Sequence, residues 1–281
     1  MQFLYLNPGM QLRDCNLAIA HEAFSFPGGE QHVRVTGPCA NEEVWIVSRM
    51  TDARSFMQFA IAVDAVRNAG GIPCGFIPYL PYAQQDRIMV PGDPLSIRVI
   101  ADLLRSLDLK RLRIYDPHSD VAPALLPGVE VIDNSEFVKW AIKQTKTYPS
   151  IASPDAGAMK KIFGLAKKIK FGGLVFGSKI RDLQTGDIIR QYLTGDDITG
   201  RSCLIVDDII VGGRTFTELA KLLRDKGAES VYLAVSHGVF SQSIVSLREH
   251  IDGIFVTDSR PNPTGPEDAD FIKVYQLGFN G

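Results

Sequence analysis

A chain of 281 residues with 45 % apolar and 22 % charged side chains can bury a sizeable core, and its length suits one large or two medium domains. That balance excludes a disordered chain, and a formal net charge of -2 without a long basic run argues against a nucleic-acid-binding protein. Cys15, Cys39, Cys74 and Cys203 stand far apart with no CxxC pair, so the expectation is reduced thiols in a cytoplasmic protein, not a disulfide framework or zinc site. No apolar run approaches the roughly 20 residues of a membrane helix. The opening MQFLYLNPG is too short and uncharged for a signal peptide.

Along the chain, short apolar runs alternate with amphipathic stretches, the pattern of βα units on a mostly parallel sheet. Strands are expected at residues 3–6, 43–47, 75–77, 111–115 and 130–132, and helices at 56–68 and 96–107. The Gly70-Gly71 pair supplies a helix stop. A second series begins after Tyr148-Pro149, with strands expected at 150–152, 173–176, 202–206, 230–234 and 253–256 and a strand-like run at 271–277. Its helices are expected at 156–165, 215–226 and 241–249. The fold class is α/β: two domains, residues 1–143 and 144–281, each a mostly parallel sheet flanked by helices.

The most informative stretch is SCLIVDDIIVGGRTFT, residues 202–217. An apolar strand runs into Asp207 and Asp208, then a loop with Gly212 and Gly213, then a helix starting near Thr215. Open α/β sheets bind ligands beyond the carboxyl ends of their strands. A glycine loop and a helix N-terminus together offer backbone N–H groups to an anion. Two carboxylates beside such a cradle suit ribose hydroxyls, directly or through Mg2+. The alternative is a solvated acidic turn and an ordinary cap, but two charges closing a buried-type strand are costly without partners.

Four further segments put polar groups just past strands. In RIYDPHSD, Asp116, His118 and Asp120 alternate, as a hard-cation site with a nearby imidazole would need, or as an Asp-Pro turn would. In SPDAG, Asp155 opens a helix, as a ligand or as a cap. In SKIRD, Lys179 and Arg181 are two apart, so on extended chain they face one anion; the polar stretch 182–200 after them is expected to be a loop. Positioned cations are what phosphoryl transfer asks of a protein. In IPYLPYAQQDR, residues 77–87, Gln84, Gln85, Asp86 and Arg87 offer hydrogen bonds to a base or phosphate after a stiff aromatic turn.

Taken in order, these segments, with FPGGE at 26–30 and SHGVFS at 236–241, resemble the ribose-phosphate diphosphokinase (phosphoribosyl diphosphate synthetase) family over residues 24–259. The resemblance implies two phosphoribosyltransferase-like domains, ATP and Mg2+, and assembly as a homodimer or higher homo-oligomer, with no nucleic-acid or membrane partner. It implies that His118 and Asp155 match Mg2+-ATP ligands and that Lys179 and Arg181 match the pair stabilising the transferring diphosphate. Asp207 and Asp208 match the carboxylates holding the ribose 2- and 3-hydroxyls, with Gly212, Gly213, Arg214 and Thr215 in the sugar-phosphate loop. Phe26 and Glu30 match adenine contacts given by a neighbouring subunit, and Gln84, Gln85, Asp86 and Arg87 lie in the other ATP loop.

The sequence also departs from the family. Its sugar-phosphate loop usually reads Asp-Asp-x-x-Asp-Thr-Ala/Gly-Gly-Thr, whereas Val211, Gly212 and Arg214 stand here for the third aspartate, a threonine and the second glycine. A guanidinium in the cradle binds phosphate bidentately and stacks on bases. The expectation it raises is an acceptor with a larger 5-substituent, such as ADP-ribose, as an alternative to ribose 5-phosphate. Gly28 stands where the family has an acidic residue and Gln84 where it has Arg, so ATP contacts are expected to be rearranged. A non-catalytic regulatory homologue is a third reading, against which Lys179 and Arg181 stand.

Overall fold

The structure, a computed structural model, describes residues 1–181, 188–242, 244–261, 265 and 268–281, with Ala156, residues 179–181 and residues 188–191 described by their backbone alone. The chain forms two compact units: Met1–Asp133 with Ser259–Pro261 and Gln276–Gly281, and Asn134–Asp258 with Asn262–Tyr275.

The first unit runs β1 (Gln2–Tyr5), β2 (His21–Ser25), β3 (Gln31–Val35), β4 (Glu43–Val47), α1 (Ala53–Asn68), β5 (Ile72–Ile77), α2 (Ser96–Ser106), β6 (Leu112–Tyr115), α3 (Val121–Leu125) and β7 (Glu130–Ile132). Five strands form a parallel sheet ordered β1-β4-β5-β6-β7. Its core joins Leu4, Ile46, Ile77 and Ile114 of the strands to Phe59 and Val63 of α1 and Ile97 and Leu104 of α2. A capping box starts α1: Asp52 accepts from the Ser55 N–H and the Ser55 hydroxyl accepts from the Asp52 N–H. Outside the sheet, β2 and β3 pair as an antiparallel hairpin.

The second unit runs α4 (Ser135–Gln144), β8 (Ser150–Ser153), α5 (Ala156–Ile169), β9 (Leu174–Arg181), β10 (Ile188–Gly195), β11 (Ser202–Ile210), α6 (Arg214–Asp225), β12 (Ser230–Gly238), α7 (Val245–Arg248), β13 (Gly253–Thr257) and β14 (Ile272–Tyr275). Its seven-stranded sheet is ordered β10-β9-β8-β11-β12-β13-β14. Only the edge pair β10–β9 is antiparallel. Ile205, Val231, Leu233 and Ile254 of the strands pack with Phe216, Leu219 and Leu223 of α6.

Both sheets have the expected class, but the elements differ in four places. The junction falls at residues 133/134 and not 143/144, because α4 buries Phe137, Val138 and Ala141 and sets the Phe137 and Trp140 rings against Tyr275 of β14. The hairpin was not expected: β2 is exposed from Glu22 to Ser25, so no buried face imposes an alternating pattern. A strand, β10, occupies part of the stretch expected as a loop, while residues 182–187 lie outside the described ones. The helix expected at 241–249 is reduced to the four residues of α7. The last residues return to the first unit, where the Phe279 ring lies 4.7 Å from Trp45 and 5.2 Å from Phe3, under the Arg113 guanidinium at 4.1 Å. Among the described residues no helix is long and apolar enough to cross a membrane.

Candidate active site

In the second unit, β11 runs past its neighbour on one side. Its pairing with β8 stops at Ile205–Ala152, whereas its pairing with β12 continues to Ile210–Gly238. The strand expected to end at Val206 therefore extends four residues further, and Asp207 and Asp208 sit within it. Asp208 is buried at 5 % exposure. Burial, with the adjacent Asp208 carboxylate acting second, pushes Asp207 well above the usual carboxylate range, and the charge of Asp155 adds to it. Asp207 Oδ1 also accepts from the Asp208 N–H at 2.9 Å. Two acids held together at an open strand edge are acceptors waiting for donors such as vicinal hydroxyls.

Beyond them, Gly213 takes φ +83 as the N-cap of α6, a conformation natural to glycine, and no side chain caps the helix. A Cβ there would stand 3.2 Å from Leu247, and one at Gly212 would stand 3.4 Å from the Gln242 side chain. The SHGVFS segment fixes this loop: Val239 N–H donates to Ile210 O, and Ser241 donates to Val211 O through both its N–H and its hydroxyl. An uncapped helix start on a glycine floor is an anion seat, and Thr215 is half-buried at its first turn. Arg214 does not turn into it. Its guanidinium is 87 % exposed and donates through Nε to Glu218 Oε1 at 2.8 Å, the next turn of α6. The expectation that this side chain enlarges the cradle is corrected on that geometry.

Asp155 is the exposed N-cap of α5, its Oδ1 accepting from Ala158 N–H at 3.0 Å. Both readings of this residue meet in one place, since a cap at the carboxyl end of β8 also acts electrostatically on Asp207. Lys179 and Arg181 lie on the last turns of chain in β9, facing Gln191 and Ile188 of β10 in register. Their side chains lie outside the described residues. Sequence reading missed Asn134, which starts α4 without capping it and instead donates to the buried Ser236 hydroxyl at 3.4 Å. It lines a small cavity together with Lys161 and Asp207. An Asn before a helix reads as a cap, so nothing local distinguishes this use.

In the first unit, Asp116 ends β6 with φ +40, then Pro117 and His118 follow. A buried aspartate held in the left-handed region is strained backbone, and such strain gathers at functional loops. His118 is half-buried. On the neighbouring loop after β5, Gln84, Gln85 and Arg87 are exposed. Asp86 is not: its side chain is 6 % exposed, with Oδ1 3.3 Å from Arg87 Nε. On the hairpin, Phe26 is 47 % exposed and packs edge-on with Phe24 at 5.2 Å and His32 at 5.4 Å, beside exposed Glu30. A Cβ at Gly28 would fall 2.5 Å from Glu30 Oε2, so the missing acidic side chain is space that the Glu30 carboxylate now uses.

Among the described residues no three His, Cys, Asp or Glu side chains gather as a metal cage. Mg2+ does not require one; it is held by one or two protein groups, waters and substrate phosphates. An exposed carboxylate such as Asp155, with one oxygen engaged by an N–H, fits that donor set.

Each unit is thus a parallel sheet with its polar residues at the carboxyl edge, which defines an α/β protein of two phosphoribosyltransferase-like domains. A family model described as the N-terminal domain of ribose phosphate pyrophosphokinase matches residues 14–107, and one described as the phosphoribosyl synthetase-associated domain matches residues 192–277. The ribose-phosphate pyrophosphokinase of Thermococcus kodakarensis is 28 % identical over 90 % of this chain and 90 % of its own. That of Shewanella oneidensis is 29 % identical over 90 % of this chain and 81 % of its own. The crystal structure of phosphoribosylpyrophosphate synthetase from Mycobacterium smegmatis has the same fold, with a TM-score of 0.78 over 98 % of this chain and 93 % of that one at 23 % identity. The chain belongs to the ribose-phosphate pyrophosphokinase family of enzymes.

Proposed function

We propose that the chain transfers the β,γ-diphosphate of ATP to the 1-hydroxyl of ribose 5-phosphate, giving phosphoribosyl diphosphate and AMP. The observation that carries this reading is the Asp207–Asp208 pair, held at the open edge of β11 directly ahead of the uncapped, glycine-floored start of α6. The carboxylates accept from the ribose 2- and 3-hydroxyls, and the amides of Gly213, Arg214 and Thr215 receive the 5-phosphate. On the ATP side, Phe26 offers an aromatic face and Glu30 an acceptor to adenine, while Gln84, Gln85 and Arg87 contact the nucleotide.

The 1-oxygen attacks the β-phosphorus in line, a new O–P bond forms, and the bond to the α-phosphate oxygen breaks with its electron pair leaving on AMP. The hydroxyl proton passes to solvent. Lys179 and Arg181 neutralise the charge that spreads over the transferring oxygens. Mg2+, bound with ATP, supplies further neutralisation of the phosphate oxygens, and His118 and Asp155 would hold it. A homodimer or higher homo-oligomer in a cytoplasm is part of the same proposal.

The test is an acceptor comparison with purified protein, ATP and Mg2+, following AMP release with ribose 5-phosphate or with ADP-ribose. Turnover with ribose 5-phosphate is expected, because Arg214 is spent on Glu218 and the loop keeps only its amides and small floor. Turnover with ADP-ribose alone would overturn the choice of acceptor, and no AMP release with either would overturn the transfer.

A further inference from the structure

The buried carboxylate of Asp86 lies among groups proposed to bind nucleotide, yet it points away from solvent. Its side chain is 6 % exposed, against 70 % for the neighbouring Arg87. It takes hydrogen bonds from two loops: Arg87 Nε at 3.3 Å on its own loop, and the Ser119 hydroxyl on the loop after β6. The Ser119 oxygen in turn accepts from the Val121 N–H at 3.3 Å, the first residue of α3. His118, one residue before Ser119, is close enough for its charge to act on the same carboxylate. Since β5 and β6 are paired neighbours, these two loops leave the sheet side by side. An unpaired buried carboxylate would be costly, and the three partners offset that cost only in this arrangement.

We infer that Asp86 is a positioning residue that ties the β5 and β6 loops together and so holds Arg87 and His118 in the arrangement ATP needs, without touching ATP itself. This rests on the proposed function for the identity of the nucleotide. Burial alone would raise the carboxyl, but the Ser119 and Arg87 hydrogen bonds and the Arg87 and His118 charges outweigh it and hold Asp86 below the ordinary carboxylate range.

The inference is tested by calorimetric ATP binding to the full chain, and by steady-state kinetics, for Asp86→Asn, Ser119→Ala and the double variant. Asp86→Asn keeps the volume and loses the charge; it is expected to weaken ATP binding roughly tenfold, the loss of a hydrogen-bonded charge. The KM for ribose 5-phosphate should stay within about twofold, because its proposed residues lie in the other unit. Ser119→Ala should weaken ATP by a smaller factor, and the double variant should be no weaker than Asp86→Asn, since both act through one link. An unchanged ATP affinity in Asp86→Asn, or equal loss for both substrates with a lowered Tm, would overturn the inference. Wild type that binds ATP but releases no AMP would sink the proposed reaction alone, and the binding data would still decide the role of Asp86. Should Asp86→Asn fail to fold, Ser119→Ala carries the same test.

Discussion

Asp207→Asn should make the free protein more stable at neutral and alkaline pH while abolishing turnover. Asp207 is buried in β11 beside Asp208, and both circumstances disfavour its charge. Its folded pKa lies above the ordinary value of 3.8. Above 3.8 the unfolded chain carries the carboxylate hydrated, so the folded state either keeps a proton at a cost or buries a charge. The resulting penalty is absent below the unfolded pKa, grows as pH rises, and levels off above the folded pKa. Each unit of upward displacement is worth about 1.4 kcal/mol. Asparagine removes the charge, its Oδ1 can still accept from the Asp208 N–H, and its Nδ2 can donate to the Asp208 carboxylate. Relief of an uncompensated buried polar group is worth about 1–3 kcal/mol, and at about 2–4 °C per kcal/mol this gives a Tm rise of several degrees at pH 8. Thermal unfolding of both proteins from pH 3.5 to pH 8.5 checks it. The gap should close toward the acid end. A variant that is equally stable at pH 8, or whose gap does not change with pH, would show that the apo site is not held under electrostatic stress.

Lys179→Ala is expected to lower kcat by about 10²–10³ while the ATP dissociation constant changes far less, the signature of a group acting on the transition state; equal losses in both would refute that role. Arg214→Ala should leave the KM for ribose 5-phosphate within about twofold, because an exposed i,i+4 pair contributes only about 0.3–0.5 kcal/mol. A large rise in that KM would return the guanidinium to the phosphate seat. Gly213→Ala puts a Cβ on a φ of +83 and 3.2 Å from Leu247, and should cost about 1–2 kcal/mol in a denaturant titration. It should also raise the KM for the sugar phosphate, and unaltered stability would mean the loop is free to rearrange.

Parallel α/β architecture was legible in the sequence because strands buried on both faces, such as LIV before Asp207, read as short continuous apolar runs between amphipathic helices. The site residues were legible for a related reason: charges that close such runs must lie at the carboxyl edge of the sheet, where they meet ligand or solvent. The exposed hairpin β2–β3 and the edge strand β10 left no such trace, since neither is buried on two faces and polar strands read as loops.

What the sequence alone determined was therefore the class, the order of the segments and the chemical identity of the groups. Only the tertiary structure decided how those groups are used. Glu218 one helical turn away claims Arg214, a partner that the substitution by itself does not reveal. Asp86, one of four polar residues in a row, is separated from Gln84, Gln85 and Arg87 by being buried against Ser119, a residue 33 positions on that β-pairing of β5 with β6 brings alongside. Asn134 and Ser236, 102 positions apart, meet beneath the ribose carboxylates for the same reason: register across the sheet, not spacing along the chain, sets which side chains share a hydrogen bond.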